Sequence, residues 1–326
     1  MNIIGIDISK EKFDCVWIRD LEANKVKSKV FKNCPDGHKS LLDWAVKNMG
    51  SEPQDITVLM EATGVYHEAL AYYLHNATVR VAVLNPARVR DYAKSLGSKT
   101  KNDKRDAMVI ARYGATQSLA LWQPEPESIR SLKALLARLD AVEKDIQREG
   151  NRMEKATVSG ASSVIIDSIQ SVLDFMDEEK KRLNKIINDH IDSDPILKKD
   201  MALLKSIPGV GDVVSRHMMA IYHSRNFQRA SQMAAYLGVV PIEYQSGSSI
   251  KGRPRLSKAG SSVVRAKLYL PAVVATRHNP QAMALYQRLL SRGKAKMAAI
   301  GAVMRKLVHM CFGVLKHQQA YSPQAA

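Results

Sequence analysis

Cysteine is scarce in this sequence. Only Cys15, Cys34 and Cys311 occur among 326 residues, with no Cys-x-x-Cys spacing and no pair of histidines beside them. A disulfide framework and a structural zinc site are therefore not indicated, because both need several such residues at defined spacings. We interpret the three thiols as ordinary core or surface residues.

Long apolar runs are also lacking. No uninterrupted apolar stretch approaches the roughly 18 residues of a membrane span. The first residues, Asn2 to Asp7, lack the basic start and long apolar run of a signal peptide. We therefore expect a cytoplasmic protein without a membrane partner.

Acidic residues are few relative to basic ones. Lysine and arginine number 49 against 32 aspartates and glutamates, which gives a formal charge of +17 and a pI near 9.7. This charge favours polyanionic partners, with nucleic acid first and ribosomal or membrane surfaces as alternatives. The length predicts two or three domains.

The first part of the chain predicts a mixed sheet. Three short segments rich in β-branched and aromatic residues, Ile3 to Ser9, Phe13 to Arg19 and Val26 to Phe31, are separated by charged turns. Helical and strand-like segments then alternate up to a helix that begins beyond Lys101. The order βββαβαβα predicts a ribonuclease H-like α/β domain over residues 1–122.

Two later regions are predicted to be helical. Pro124 and Pro126 cannot continue a helix and mark a first domain boundary. Asp194-Pro195, where a helix should also end, marks a second one. Apolar residues recur every seven positions in between, which predicts an antiparallel coiled coil over 123–195, a spacer or dimerisation arm. The remaining 196–326 is expected to be mostly helical. The coiled-coil positions are Leu132, Leu139, Ile146 and Met153, with Leu135 and Val142 between them.

Four carboxylates are candidate metal ligands. Asp7 and Glu61 each end a predicted apolar strand, and Asp103 and Asp106 lie three residues apart on one face of a predicted helix. Converging carboxylates repel one another, and one or two Mg²⁺ ions, which prefer oxygen ligands, would neutralise them. Such ions can hold both reacting oxygens of a phosphoryl displacement. The alternative roles are a turn residue at Asp7 and a helix cap at Asp103.

A dense basic segment leads into the last of these helices. It is suited to binding phosphates, and an exposed helix face is the alternative interpretation of the same charges. The segment contains Arg88, Arg90, Lys94, Lys99, Lys101, Lys104 and Arg105.

A glycine-containing turn lies between two predicted helices farther on. The sequence Ile207-Pro208-Gly209-Val210-Gly211 resembles a helix-hairpin-helix motif, in which backbone N–H groups near the glycines bind a phosphate. A plain helix connection is the alternative interpretation, because Pro-Gly turns are common.

A polar loop from Tyr244 to Arg255 combines hydroxyls and cations. A serine hydroxyl attacks phosphorus only when a base or a metal activates it, and no histidine lies nearby in the sequence. Composition alone therefore indicates a phosphate-contacting linker and identifies no nucleophile. The loop contains Ser246, Ser248 and Ser249 together with Lys251, Arg253 and Arg255.

Several motifs, taken together and in order along nearly the whole chain, resemble one family. The motifs are Gly5-Ile6-Asp7-Ile8-Ser9-Lys10-Glu11, Met60-Glu61-Ala62-Thr63-Gly64-Val65-Tyr66, Asn85-Pro86, Lys101-Asn102-Asp103-Lys104-Arg105-Asp106-Ala107, Ile207-Pro208-Gly209-Val210-Gly211 and Ser246-Gly247-Ser248-Ser249. With these motifs the sequence is similar to the DEDD transposase family of bacterial insertion sequences, which includes the pilin-gene invertases.

This resemblance implies a specific chemistry. Asp7, Glu61, Asp103 and Asp106 would bind Mg²⁺ in a RuvC-like domain, and Ser246 of a C-terminal transposase domain would form a covalent phosphoserine intermediate with DNA. Carboxylates of one subunit would meet the serine of another, which implies a homodimer or homotetramer. A structured noncoding RNA encoded by the element would pair with donor and target DNA.

We therefore expect a Mg²⁺-dependent, RNA-guided DNA recombinase. The main alternative is a RuvC-like junction-resolving nuclease in which water replaces Ser246, so that Ser246→Ala would retain activity. An actin-like sugar kinase is disfavoured, because a second Asp-x-Gly-Thr loop is lacking and the charge is too positive. A catalytically silent nucleic-acid scaffold would predict that Asp7→Asn leaves activity in cells unchanged.

Overall fold

The computed structural model describes residues 2–62, 64–97, 102–243, 245–246, 250–252 and 254–323. Within it the chain divides into two compact units, Met1–Pro124 and Glu125–Ala326. The first combines a sheet with helices, and the described part of the second is mostly helical. This confirms the predicted class of an α/β N-terminal part followed by a largely helical remainder. The predicted further division at residue 195 stays a prediction.

The sheet of the first unit has the strand order β3-β2-β1-β4-β5. The first three strands form an antiparallel meander, as predicted, and β4 and β5 run parallel to β1. The strands are β1 (Ile3–Ile8), β2 (Lys12–Asp20), β3 (Lys25–Lys32), β4 (Thr57–Glu61) and β5 (Arg80–Leu84). The helices are α1 (Pro35–Met49), α2 (Glu68–Asn76), α3 (Pro86–Ser95) and α4 (Asp103–Thr116).

Strand β1 has different neighbours on its two faces. Ile4, Ile6 and Ile8 belong to a buried apolar cluster that also contains residues of α1 and α2. Because side chains alternate along a strand, Gly5 and Asp7 share the other face. A Cβ at Gly5 would overlap the backbone of α4, so this helix lies directly on β1.

Helix α3 is an element that the predicted order omitted. It begins at Pro86, and the side chain of Asn85 caps it by accepting a hydrogen bond from the Ala87 backbone N–H. Asparagine followed by proline is a strong start signal for a helix. The predicted order βββαβαβα was therefore wrong, because it lacks this helix. The sequence interpretation treats the basic residues after Asn85 only as a segment that leads into α4.

The second unit begins with two long helices. The helices of this unit are α5 (Glu127–Val158), α6 (Ser163–Ser193), α7 (Pro195–Lys205), α8 (Asp212–His223), α9 (Ala230–Tyr236), α10 (Ser262–His278), α11 (Pro280–Ser291) and α12 (Lys296–His317). Two short strand pairs lie between α9 and α10: β6 (Pro241–Ile242) with β9 (Arg255–Leu256), and β7 (Gln245–Ser246) with β8 (Ile250–Lys251).

Helices α5 and α6 run in opposite directions along each other. Near the end of α6, the His190 Nε2 lies 2.8 Å from the Ser128 carbonyl oxygen near the start of α5. Helix α6 ends at Ser193, and Asp194 then caps α7 by accepting from the N–H groups of Ile196 and Leu197. The chain therefore turns where Asp194-Pro195 predicted a helix end.

Helix α12 is apolar and long enough to cross a membrane by length and composition alone. Most of it is buried within the second unit, including Val303, Leu307 and Cys311. Such burial is typical of the core helix of a globular unit. The predicted absence of a membrane partner stays a prediction.

Candidate active site

The end of the central strand positions the first carboxylate. Ile6 pairs with Met60 in the parallel register of β1 and β4, so the next residues, Asp7 and Glu61, stand side by side at the same edge of the sheet. Asp7 is partly buried on the face that α4 covers. The strand ends thus bring two of the predicted ligands together.

Helix α4 supplies two further carboxylates at its first turn. Asp103 and Asp106 belong to that turn, and the close approach of α4 to Gly5 brings this end of the helix towards Asp7. Asn102, not Asp103, caps the helix by accepting from the Arg105 N–H. The capping role considered for Asp103 is therefore wrong, and its carboxylate is directed elsewhere.

The surroundings of Asp7 raise the pKa of its carboxyl group. Burial, together with the negative charges of Asp106, Asp103, Glu61 and Asp14, raises the pKa of Asp7 to about 6. Negative charges around a carboxyl disfavour its ionised form, so these four carboxylates add to the effect of burial. Raised carboxyl pKa values of this kind are typical of functional sites.

Two residues of this cluster were missed by the sequence interpretation. Asp14 lies opposite Asp7 in the β1–β2 ladder. The Lys12 ammonium lies 3.3 Å from Asp14 Oδ2 and 2.9 Å from Asp103 Oδ2. The signal was present in the sequence, because a tight β1–β2 hairpin around Ser9 to Glu11 pairs Asp7 with Asp14 and places Lys12 on the same face.

The Lys12 contact dominates the titration of Asp103. Hydrogen bonding from Lys12 and its positive charge lower the pKa of the Asp103 carboxyl, which is exposed to solvent. Asp103 is therefore an ionised side chain at the rim of the site, whereas Asp7 is the desolvated one. The exposed Asp103 carboxyl therefore loses its proton at a lower pH than the partly buried Asp7 carboxyl does.

The donor atoms of the cluster are of the type that binds a divalent cation. Carboxylate oxygens are the ligands that Mg²⁺ prefers, and the mutual repulsion around Asp7 is the kind that a divalent ion relieves. Among the residues that the structure describes, however, no group of three or more Asp, Glu, His or Cys side chains is drawn together closely enough to hold a metal. The donor set fits such an ion, but its arrangement here is not yet that of a coordination shell.

The predicted phosphate-binding cations lie on two helices. Arg88 and Arg90 are exposed on α3, and Lys104 and Arg105 are exposed in the first turn of α4, next to the carboxylates. Lys99, Lys101 and Arg253 fall outside the described residues.

The turn between α7 and α8 has a packing role that composition did not reveal. Gly209 has a φ of +96°, and a Cβ there would lie 2.9 Å from the Ala275 Cβ and 3.1 Å from the Pro271 carbonyl oxygen of α10. Glycine is thus required for conformation and for close packing. Gly211 is exposed at the start of α8, where backbone N–H groups are available to an anion.

Ser246 belongs to the second unit and ends the short strand β7. It pairs with Ile250 of β8, and Gln245 pairs with Lys251. Arg255 is exposed in β9. Residues 247–249 fall outside the described residues.

Comparison with known proteins places the chain in a family. The sequence model of a DEDD transposase matches residues 4–158, and the model described as transposase, IS116/IS110/IS902 family, matches residues 201–287. The chain belongs to the DEDD transposase family of bacterial insertion sequences, as the motifs predicted. It is therefore a member of a class of DNA-processing enzymes, and this class implies the use of a divalent metal in general.

The relatives support the same assignment over the whole length. The pilin gene-inverting protein of Moraxella bovis is 32% identical over 98% of this chain and 97% of its own, and that of Moraxella lacunata is 31% identical over the same shares. The transposase for insertion sequence element IS1111A of Coxiella burnetii is 22% identical over 98% of this chain and 91% of its own.

Proposed function

We propose that this protein is a Mg²⁺-dependent recombinase that cuts and rejoins donor and target DNA of an insertion sequence. The observation that carries the proposal is the gathering of Asp7, Glu61, Asp103 and Asp106 at one edge of the sheet. The topology of the first unit supports assignment to the ribonuclease H-like, or RuvC-like, class. In that class, strand ends and one helix present carboxylates to a phosphodiester.

The carboxylates would hold one or two Mg²⁺ ions. Bound there, a divalent ion would supply charge stabilisation to the reacting phosphate oxygens. The chain's own part is to orient the ligands: the β1–β4 register fixes Asp7 beside Glu61, and α4 on Gly5 fixes the other two. The exposed cations of α3 and α4 would position the DNA backbone.

Ser246 is proposed as the nucleophile. Its Oγ would form an ester bond to phosphorus while the bond to the departing strand end breaks, and the hydroxyl proton would pass to a base. A strand-end hydroxyl would later attack the phosphoserine, rejoin the DNA and release Ser246. One phosphoester bond replaces another at each step, so no external energy source is needed.

The second unit is proposed to contain the other two predicted regions. The pairing of α5 with α6 supports a coiled-coil arm over 123–195, and the α7–turn–α8 segment supports a helix-hairpin-helix motif within 196–326. Apolar side chains are exposed near the turn of the arm and along α6, which favours a homodimer or homotetramer in which carboxylates and serine come from different copies. These side chains include Val158, Val164, Ile165 and Phe175.

A structured guide RNA encoded by the element is proposed as the source of target choice. In this arrangement the basic surfaces contact RNA and DNA phosphates, and base pairing selects the sequence. The net charge of +17 supports such a partner.

The test combines purified full-length protein, Mg²⁺, element RNA and labelled donor and target DNA, followed by a denaturing gel. We expect protein-linked DNA with the wild type and with Ser248→Ala, and none with Ser246→Ala or with Asp7→Asn. Omitting the RNA or adding a chelator should also remove the product. Ser248→Ala shows whether another serine of the same loop serves instead.

Other outcomes point to other functions. Cleavage without a covalent adduct in both the wild type and Ser246→Ala would support the junction-resolving nuclease that uses water. Full recombination by Asp7→Asn in cells would support a catalytically silent scaffold. Adduct formation without RNA would contradict RNA guidance and leave the serine chemistry standing.

A further inference from the structure

Lys12 places a positive charge inside the carboxylate cluster. Its Nζ lies 2.9 Å from Asp103 Oδ2 and 3.3 Å from Asp14 Oδ2. The Lys12 side chain is half exposed, whereas the Asp14 side chain is 13% exposed. The ammonium therefore bridges a strand and a helix at the mouth of the site.

The strand register explains why the lysine reaches this position. Asp14 lies opposite Asp7, and Lys12 precedes Asp14 by two residues, so all three are on the same face of the sheet. That face is the one covered by α4, whose first turn contains Asp103. Lys12 thus connects the first hairpin of the chain to the helix that completes the cluster.

An ammonium and a divalent cation compete for the same carboxylate. Lys12 donates to one oxygen of Asp103, and an ammonium close to a divalent ion would repel it. The contact attaches Asp103 of α4 to Lys12 of β2.

We propose that Lys12 is a positioning residue that holds Asp103 while the divalent ion is absent and must release it before the ion binds. This inference rests on the proposed metal-binding function of the cluster. Asp14 is the partner that Lys12 keeps after release. A half-exposed lysine suits this exchange, because its flexible point charge forms weaker and less directional pairs than arginine does.

The experiment measures metal affinity without nucleic acid. Mn²⁺ and Mg²⁺ are titrated calorimetrically into the full chain as wild type, Lys12→Met and Lys25→Met. We expect Lys12→Met to bind the ion about two- to fivefold more tightly, the factor that corresponds to the loss of a partly exposed ion pair. Lys25→Met makes the same charge change at the opposite end of the β2–β3 hairpin and should bind like the wild type.

Two further variants separate this role from a general structural effect. In an Asp103→Asn background, Lys12→Met should raise the affinity less than it does in the wild type, because only the repulsion between the ammonium and the ion is then removed; an equal gain in both backgrounds would overturn the competition for Asp103. Lys12→Arg keeps the cation and should bind the ion no more tightly than the wild type. Thermal unfolding of each metal-free variant checks that the chain is folded.

The outcomes distinguish this inference from the proposed function. Unchanged or weaker metal binding by Lys12→Met would overturn the release of Asp103 while leaving the metal centre intact. An equal gain in metal affinity for Lys25→Met would show that the effect comes from the net charge of the chain, and this result would also overturn the inference about Lys12. Failure of the wild type to bind either ion would contradict the metal centre itself and the inference with it.

Discussion

Single residues in the cluster are arranged for function at a cost to stability. Burial and the negative charges of Asp106, Asp103, Glu61 and Asp14 raise the pKa of Asp7 to about 6. The folded chain binds a proton at Asp7 more tightly than the unfolded chain does. Its stability contribution is therefore favourable at low pH and is lost as the pH rises from the ordinary carboxyl value through about 6.

Replacing Asp7 with asparagine should stabilise the metal-free chain and abolish recombination. At pH 7.5 we expect a gain of about 1 to 2 kcal/mol in the free energy of unfolding, reduced from the full value of the pKa shift by solvent screening. The gain should shrink at pH 5, where the wild-type carboxyl takes up its proton. Urea unfolding at both pH values measures it.

The exposed Asp43 of α1 provides the matched control for this change. Asp43→Asn removes one negative charge far from the cluster and should leave stability and adduct formation close to wild type. A loss of stability in Asp7→Asn at pH 7.5 would contradict the interpretation that repulsion dominates at this position.

At the scale of elements, the site depends on how closely α4 lies on β1. A Cβ at Gly5 would overlap the Ala107 backbone and lie 2.8 Å from the Ala111 Cα. The first turn of α4 contains two of the proposed ligands, so any displacement of the helix moves them. The position of the two proposed ligands therefore depends on the close packing of α4 against Gly5.

Gly5→Ala should destabilise the first unit and weaken adduct formation. Overfilling a tightly packed contact of this kind costs about 3 kcal/mol. Gly150→Ala is the matched control, because Gly150 lies within α5 with no neighbour within 4 Å of an added Cβ. That change should instead stabilise its helix by up to about 1 kcal/mol. Urea unfolding that gave the two variants the same sign would contradict the assigned contact.

A cluster of charged side chains ties helices of the second unit together. The Lys267 ammonium of α10 lies 2.9 Å from Asp140 Oδ1 and 2.8 Å from Glu143 Oε2 of α5. The His217 Nε2 of α8 lies 3.3 Å from Asp140 Oδ2. Burial lowers the pKa of Lys267, but hydrogen bonds to Glu143 and Asp140 outweigh it and raise the pKa.

Lys267→Met should destabilise the second unit, because it leaves two partly buried carboxylates of α5 without this cation. We expect a loss of about 2 kcal/mol, below the full cost of breaking a completely buried pair. Lys144→Met, at an exposed position of the same helix α5, should change the stability little. Thermal unfolding in which both variants behaved alike would show that the cluster contributes nothing specific.

At the scale of the whole molecule, the homodimer or homotetramer of the proposed function needs a surface for self-association. Val164 at the start of α6 is 74% exposed, and Phe175 farther along the same helix is 71% exposed. Large apolar side chains gathered on an exposed surface favour association with another protein surface. In the proposed function, a second copy of the chain would be that partner.

Phe175→Asp should reduce the assembly to smaller species without lowering the thermal stability of the unit. Size-exclusion chromatography with light scattering at matched concentrations measures the mass. Ile196→Asp is the control, since Ile196 is 63% exposed but lies in the first turn of α7. An unchanged mass for Phe175→Asp would assign assembly to another surface.

The helices and strands could be predicted from the sequence more completely than the tertiary contacts between them. Strand alternation and apolar periodicity located the meander, the parallel strands and the two long helices, because these signals are local. Helix α3 was missed although Asn85-Pro86 carried its start signal. The close approach of α4 to Gly5 could not be predicted, since it depends on residues about a hundred positions apart.

The sequence pointed to the four carboxylates of the candidate site but not to the residues around them, and their role as metal ligands stays a prediction. Strand ends pointed to Asp7 and Glu61, and three-residue spacing pointed to Asp103 and Asp106. Lys12 and Asp14 escaped notice because their significance depends on the hairpin register. The role of Ser246 depends on the family resemblance and stays a proposal, since its loop composition equally suits a linker.

The order of the elements along the chain determines when the parts of the proposed site have all been synthesised. Strand β1 leaves the ribosome first, yet its parallel neighbour β4 and the covering helix α4 are made much later. A nascent chain that has emerged only as far as α3 possesses Asp7 and Glu61 but neither Asp103 nor Asp106. In the proposed function, a chain that ends before α4 would therefore lack half of the carboxylates, and one that ends before β7 would lack Ser246 as well.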